Sequence, residues 1–209
     1  MNTEQAYDQW STQYDGNENK TRDLEGNALK DMLAGRSFRS VLELGCGTGK
    51  NTLHLLECGE HITAVDLSEE MLRKAQSKIA SPRVEFIRSD INGNWEFGRD
   101  QFDLITISLV LEHIENLQPV FKKVAESLAP GGLVYLGELH PSKQYIGSKA
   151  RFETENGIQV VQCFTHHTSD FMHAAQENGL EIVALDEYFD DNDRSSVPRI
   201  LALIFRKTA

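Results

Sequence analysis

The sequence predicts a doubly wound α/β fold, a mostly parallel sheet with helices on both faces that ends in an antiparallel hairpin. Three observations predict it. From residue 40 onward, short apolar runs alternate with segments of helical period, a pattern that calls for right-handed crossovers between parallel strands. A glycine-rich turn, Gly45-Cys46-Gly47-Thr48-Gly49, joins the first run to the first of these helices. A short acidic loop, Asp190-Asp191-Asn192-Asp193, separates the last two strand-like runs. It is too short for a crossover, so that pair is antiparallel.

The elements follow in order. Residues 1–36 read as an N-terminal helical arm that carries Tyr7, Trp10 and Tyr14. It is broken by the loop signal Asp15-Gly16-Asn17-Glu18-Asn19. Leu24, Ala28, Leu29, Met32 and Leu33 then recur at helical spacing. Ser40–Leu44 is a short strand, Lys50–Cys58 a helix stopped by Gly59, and His61–Asp66 a β-branched strand ending in an acid. Ser68 caps the next helix, with Glu69 and Glu70 in its first turn where they complement the dipole. Pro82 closes that unit, and Val84–Ile87 runs into Ser89-Asp90. Phe102–Leu111 is nearly all apolar, as a central parallel strand buried on both faces requires. A helix over about 116–128, a tight turn at Pro130-Gly131-Gly132 and a strand over Leu133–Gly137 follow. Residues 140–165 show no clean helix and one strand, Ile158–Phe164. A helix over 169–178 and strands over Leu180–Tyr188 and Arg199–Phe205 complete the chain, which reads as one domain over 1–209.

Bulk properties narrow the function. Net charge is −11, so a broad face for nucleic acid is disfavoured by repulsion from the phosphate backbone. Cys46, Cys58 and Cys163 are odd in number and lack metal-ligand spacing. They read as reduced thiols of a cytoplasmic protein, with no metal site expected. The polar start lacks the basic and apolar regions of a signal peptide, and the stretch Leu104–Leu111 is far too short to span a membrane.

The residues around the glycine turn point to a ligand. Glycines between a strand and a helix let the backbone approach a bound molecule, and the helix start adds polarised N–H groups. The spacing G-x-G-x-G differs from the dinucleotide fingerprint. Glu43, two residues ahead of Gly45, would sit badly beside a pyrophosphate but suits a ligand carrying an ammonium and a sulfonium. Asp66 and Asp90 end the next two strands. The first is placed to accept ribose hydroxyls, the second to accept an adenine amine.

Together, ELGCGTG, AVDLS, Ser89-Asp90-Ile91, FDLITISLVLEHI and LAPGGLVYL resemble, in order over residues 41–139, the class I S-adenosylmethionine-dependent methyltransferases. The arm, Tyr7-Asp8-Gln9-Trp10-Ser11 through Tyr14-Asp15, is similar to the opening of small-molecule members related to the quinone-biosynthesis methyltransferases. The resemblance implies a Rossmann-like, seven-stranded sheet and S-adenosylmethionine as cofactor. It places Gly45, Gly47 and Gly49, with Cys46 in the same loop, around the methionine part. Asp66 falls on the ribose, Asp90 with Ile91 on the adenine, and Leu67 and Met71 on its ring faces. The backbone at Ser108 and Leu109 lines the methionine end. The arm, including Tyr14, folds over the cofactor, and Arg22 offers its carboxylate a bidentate fork.

The expected activity is methyl transfer to a small molecule, with oxygen favoured as acceptor. Residues 140–168 and the arm would form a lid, in which Lys149 and Arg151 could meet a substrate carboxylate. His140, following the fifth strand, and His166 with His167 are the candidate general bases. His113, in LEHI, fits the family pattern near the cofactor. A protein or nucleic-acid substrate, a catalytically silent binding module and a nicotinamide-dependent oxidoreductase are the competing readings. The glycine spacing and Glu43 disfavour the last. Substrate identity and oligomeric state have no signature in the chain.

Overall fold

The computed structural model describes residues 3–16, 18–97, 101–154 and 157–208. Five parallel strands form most of the main sheet: β1 (Phe38–Leu44), β2 (Gly59–Asp66), β3 (Val84–Arg88), β4 (Phe102–Ser108) and β5 (Leu128–Leu139). A two-stranded hairpin, β6 (Arg151–Thr154) with β7 (Gly157–Val160), stands apart from it. The last two strands, β8 (Leu180–Tyr188) and β9 (Ile200–Lys207), complete seven in the order β3-β2-β1-β4-β5-β9-β8. β9 runs antiparallel to both of its neighbours. The strand order reverses between β1 and β4, which is where open α/β sheets bind ligands at their carboxyl ends.

The helices are α1 (Thr3–Tyr14), α2 (Lys20–Leu33), α3 (Lys50–Cys58), α4 (Glu69–Lys78), α5 (Leu117–Ser127), α6 (Pro141–Tyr145) and α7 (Thr168–Glu177). Their starts follow capping chemistry. The side chains of Asn19, Ser68 and Asn116 accept hydrogen bonds from the backbone N–H groups of Arg22, Met71 and Gln118.

Buried side chains divide into two clusters, one on each sheet face. Along β9 the assignment alternates: Leu201, Leu203 and Phe205 join α5 and α7 on one side. Ile200, Ala202 and Ile204 join α2 on the other. This is the period-two pattern of a strand covered on both faces. A third, smaller cluster joins Ala6 and Trp10 of α1 to Phe152 and Val161.

Three boundaries differ from the sequence expectation. The segment Ile158–Phe164 is not one strand. β7 stops at Val160, and the chain then turns to the loop after β4, where the Phe164 N–H donates to the Glu112 carbonyl. The Pro130-Gly131-Gly132 turn lies inside β5, as an irregularity in the ladder between Leu128 opposite Phe102 and Leu133 opposite Leu104. The apolar run Phe102–Leu111 leaves strand geometry after Ser108, because Leu109 takes a left-handed backbone (φ 56°) and Leu111–His113 form a 3-10 turn. Residues 140–165 also contain a helix, the short α6.

Candidate cofactor and acceptor site

The carboxyl ends of β1, β2, β3 and β4 enclose a cavity of about 350 Å³, within the range of small-molecule sites. Its walls include Gly45, Gly47, Asp66, Leu67, Asp90, Ile91, Ser108 and Leu109, with Tyr7 and Tyr14 supplied by α1. The glycine turn is fixed from below, with the Gly45 and Cys46 N–H groups both donating to the Val65 carbonyl.

Two glycines are there for different reasons. A Cβ on Gly45 would stand 2.2 Å from Val110 Cγ2, a protein–protein collision. A Cβ on Gly47 would meet no protein atom within 4 Å. Gly47 lines the cavity, so that space opens onto it. Asp66 is oriented by the same turn and by the start of α4. Its Oδ2 accepts from the Gly47 N–H and its Oδ1 from the Ser68 N–H, each at 2.8 Å. A carboxylate oxygen has a second lone pair, and Asp66 lines the cavity. Burial raises its pKa, while the backbone N–H bonds oppose that shift and favour the charged form. An aspartate at one wall, a bare backbone at another and Asp90 beside Ile91 fit a ribose, a methionine chain and an adenine.

The loop after β4 is built by a buried acid. Glu138 Oε1 accepts from the Val110 and Leu111 N–H groups at 3.0 and 2.9 Å. Burial pushes its pKa up to about 8, against the pull of these two bonds. The loop carries His113 to the cavity wall. His113 Nδ1 lies 2.8 Å from the Gln162 carbonyl, which can only accept, so Nδ1 holds the proton. Nε2 is then the acceptor for the Tyr7 hydroxyl at 2.8 Å. Burial holds the Tyr7 phenol well above its ordinary pKa. Glu112 is buried 3.9 Å from Nε2; burial raises its pKa, and the neighbouring His113 pulls it back down.

A second cavity, of about 560 Å³, opens on the far side of Tyr7, Tyr14 and Leu109, which line both. Arg22 belongs to this second space. Its guanidinium donates to the Tyr14 carbonyl and lies 4.9 Å from the Tyr14 ring centroid.

The remaining expected site residues lie off the cofactor cavity. Glu43 is buried beneath the glycine turn, where Thr52 Oγ1 donates to it at 2.5 Å. Cys46, Gly49 and Met71 support the turn and α4 and do not line the cavity. The three histidines expected as bases require correction of place. His140 does follow β5, but it caps α6, engages Ser142 through Nδ1 and lies 2.9 Å from Glu187 Oε1 through Nε2. His166 is buried and donates from Nε2 to the Ile114 carbonyl at 2.7 Å. His167 precedes α7 and pairs with the Tyr145 hydroxyl at 2.6 Å. None of the three lines either cavity. The sequence signals that mark the cavity instead are the His of LEHI and the first Tyr of the arm.

Known proteins resemble this chain in sequence and in fold. A family model described as a methyltransferase domain matches residues 41–132, the span from β1 into β5. An uncharacterized methyltransferase of Emericella nidulans is 25% identical over 98% of this chain and 84% of its own. A ubiquinone biosynthesis O-methyltransferase of Shewanella pealeana is 29% identical over 70% of this chain and 63% of its own. The chain thus spans somewhat under two thirds of that enzyme. Among solved structures, the N-methyltransferase NodS of Bradyrhizobium japonicum, in complex with S-adenosylhomocysteine, superposes with a TM-score of 0.75. It covers all of both chains at 19% identity. With the motif order and the sheet order in agreement, residues 41–132 carry a methyltransferase domain, and the chain is similar to the S-adenosylmethionine-dependent methyltransferases.

Proposed function

We propose that this methyltransferase acts on a small molecule and that the acceptor atom is oxygen. The observation that carries the reading is the Tyr7–His113 hydrogen bond: both residues line the cofactor cavity, and Tyr7 also lines the second. The quinone-pathway O-methyltransferase among the relatives supports it. So does the net charge of −11, which disfavours a nucleic-acid substrate.

Asp66 would hold the ribose, Asp90 and Ile91 the adenine, with Leu67 beside it. Gly45, Gly47, Ser108 and Leu109 would hold the methionine portion, with Tyr14 above, while Arg22 stands in the second cavity. Cys46, Gly49 and Met71 act from behind by shaping the turn, and Glu43 acts through Thr52 and the same turn. The cofactor, when bound, supplies a methyl group already activated on a sulfonium, so the protein's share is positioning and proton removal.

Proton removal falls to the relay. The Tyr7 oxygen, whose hydrogen is given to His113 Nε2, has lone pairs left for an acceptor hydroxyl. As that hydroxyl loses its proton to Tyr7, the Tyr7 proton passes to Nε2, leaving an imidazolium between Gln162 and Glu112. A neutral imidazole suits this task near neutral pH. His140, His166 and His167 stay structural in this reading, since each is engaged away from the cavity.

Calorimetric titration with S-adenosylhomocysteine tests the cofactor half. Binding should be sharply weakened in Asp66→Ala and retained in Tyr7→Phe and His113→Phe. Among acceptors found with a labelled methyl donor, Tyr7→Phe should lower kcat by roughly 10²-fold or more, the ordinary range for a lost acid–base group. A His140→Ala enzyme that lost turnover while His113→Phe kept it would reject the relay and restore the first-expected base.

A further inference from the structure

We propose that the second cavity is the acceptor subsite and that it selects a small molecule bearing an oxyanion, a carboxylate or a phosphate monoester, held by Lys149 and Arg151. The inference rests on the methyltransferase reading and goes beyond it by naming the acceptor's chemical class.

Five cationic side chains line this cavity, against the two acids Glu18 and Glu112. That excess of positive charge stands on a chain whose net charge is −11. The cations differ in what already engages them. Arg199 is committed to Asp190, with Nη2 donating to Oδ2 at 2.6 Å, and to Thr21 at 3.0 Å. Arg22 is placed at the Tyr14 carbonyl and ring. Lys20, Lys149 and Arg151 form no ion pair and no side-chain hydrogen bond among the described residues, and all three are exposed. A cleft lined by one sign of charge concentrates ligands of the other, and an arginine fork matches a carboxylate or phosphate in two parallel bonds.

The cavity also has a place for the rest of the molecule. Tyr7, Trp10 and Tyr14 present their rings at i, i+3 and i+7 of α1, and Leu139 and Ile146 lie across from them. An aromatic or apolar body resting there, with its anionic group at Lys149 and Arg151, would face the Tyr7–Leu109 wall shared with the cofactor cavity. Attraction at one end and a hydroxyl presented at the other is the arrangement that a small hydroxylated acid would use.

The test titrates wild type and the Lys149→Gln/Arg151→Gln double variant with benzoate, phenyl phosphate and neutral benzyl alcohol, at low salt, with and without S-adenosylhomocysteine. A labelled-methyl assay on hydroxybenzoates beside their methyl esters runs in parallel. The expected result is that an anion binds in preference to the alcohol and that the acid is preferred to its ester. The double variant should weaken the anion by about tenfold or more, and S-adenosylhomocysteine should bind both proteins equally. Benzoate over phenyl phosphate assigns a carboxylate, and the reverse assigns a phosphate. Equal binding of alcohol and anion, an unchanged double variant, or no binding of any anion together with ester preferred to acid overturns the proposal. Failure of wild type to bind S-adenosylhomocysteine would strike the cofactor reading instead, since the anion arm is read without it.

Discussion

Gly47 and Glu43 show how single positions in one turn do different work. At Gly47 (φ 53°) the left-handed backbone costs an alanine about 1 kcal/mol or somewhat more, and its Cβ finds open space. Gly47→Ala should therefore stay folded, with a melting point only a few degrees lower, while its S-adenosylhomocysteine dissociation constant rises at least tenfold by calorimetry. A proportionate loss of folding and binding would make this glycine a structural turn residue only. Glu43 is a carboxyl without solvent, pushed up to about 8 mainly by burial, with Thr52 pulling the other way. Its folded-state pKa lies above the unfolded one, so the proton it holds stabilises the fold at low pH. That contribution declines as pH rises from the ordinary carboxylate range through about 8. Glu43→Gln is neutral throughout, so the ligand-free variant should lose less melting temperature than wild type over that window. Parallel melting curves in the two proteins would mean that Glu43 is ionised across it.

Among the elements, α1 and the β6–β7 hairpin are distant in sequence yet share one small core. Trp10 stacks on Phe152 with centroids 5.3 Å apart and planes 14° apart. α1 is also stitched to the sheet side by the Ser68 hydroxyl donating to Asp8 at 2.5 Å and by the Lys78–Asp15 pair at 2.7 Å. The arm and the hairpin should therefore loosen together. In Trp10→Ala, hydrogen exchange should quicken in both α1 and β6–β7 and remain slow in β1 and β4, with weaker S-adenosylhomocysteine binding. Quickening confined to α1 would show that the two do not form one unit. The sequence shows the aromatic spacing of the arm, but not its partner. Phe152 lies in a segment without a clean pattern, and a contact across so many residues leaves no periodic trace.

For the molecule as a whole, stability rests on the sheet buried from both sides. Leu136 of β5 is fully buried in the cluster shared with α5, α7 and β9. Leu136→Ala should cost roughly 2–5 kcal/mol, seen as a lower urea midpoint with an unchanged slope. A much smaller loss would mean that the core collapses around the gap.

Outside residues 140–165, where α6 and the β6–β7 hairpin were not legible, the chain's own pattern was enough to determine the order of elements, the antiparallel close of the sheet, the glycine turn and the acids Asp66 and Asp90. Each of these is written locally, in period, in turn chemistry or in a residue at a strand's end, and a strand's end at the switch point is where a ligand must bind. Which histidine lines the cofactor cavity was decided only in three dimensions, and it is His113. His140, His166 and His113 all lie near carboxyl ends or loops, but each ring goes where its hydrogen-bond partner is: Glu187, the Ile114 carbonyl, or Gln162 and Tyr7. The basic second cavity is likewise tertiary. Its cations come from the start of α2, the approach to β6 with its first residue, and the residue before β9, and only folding brings those three places to one cavity.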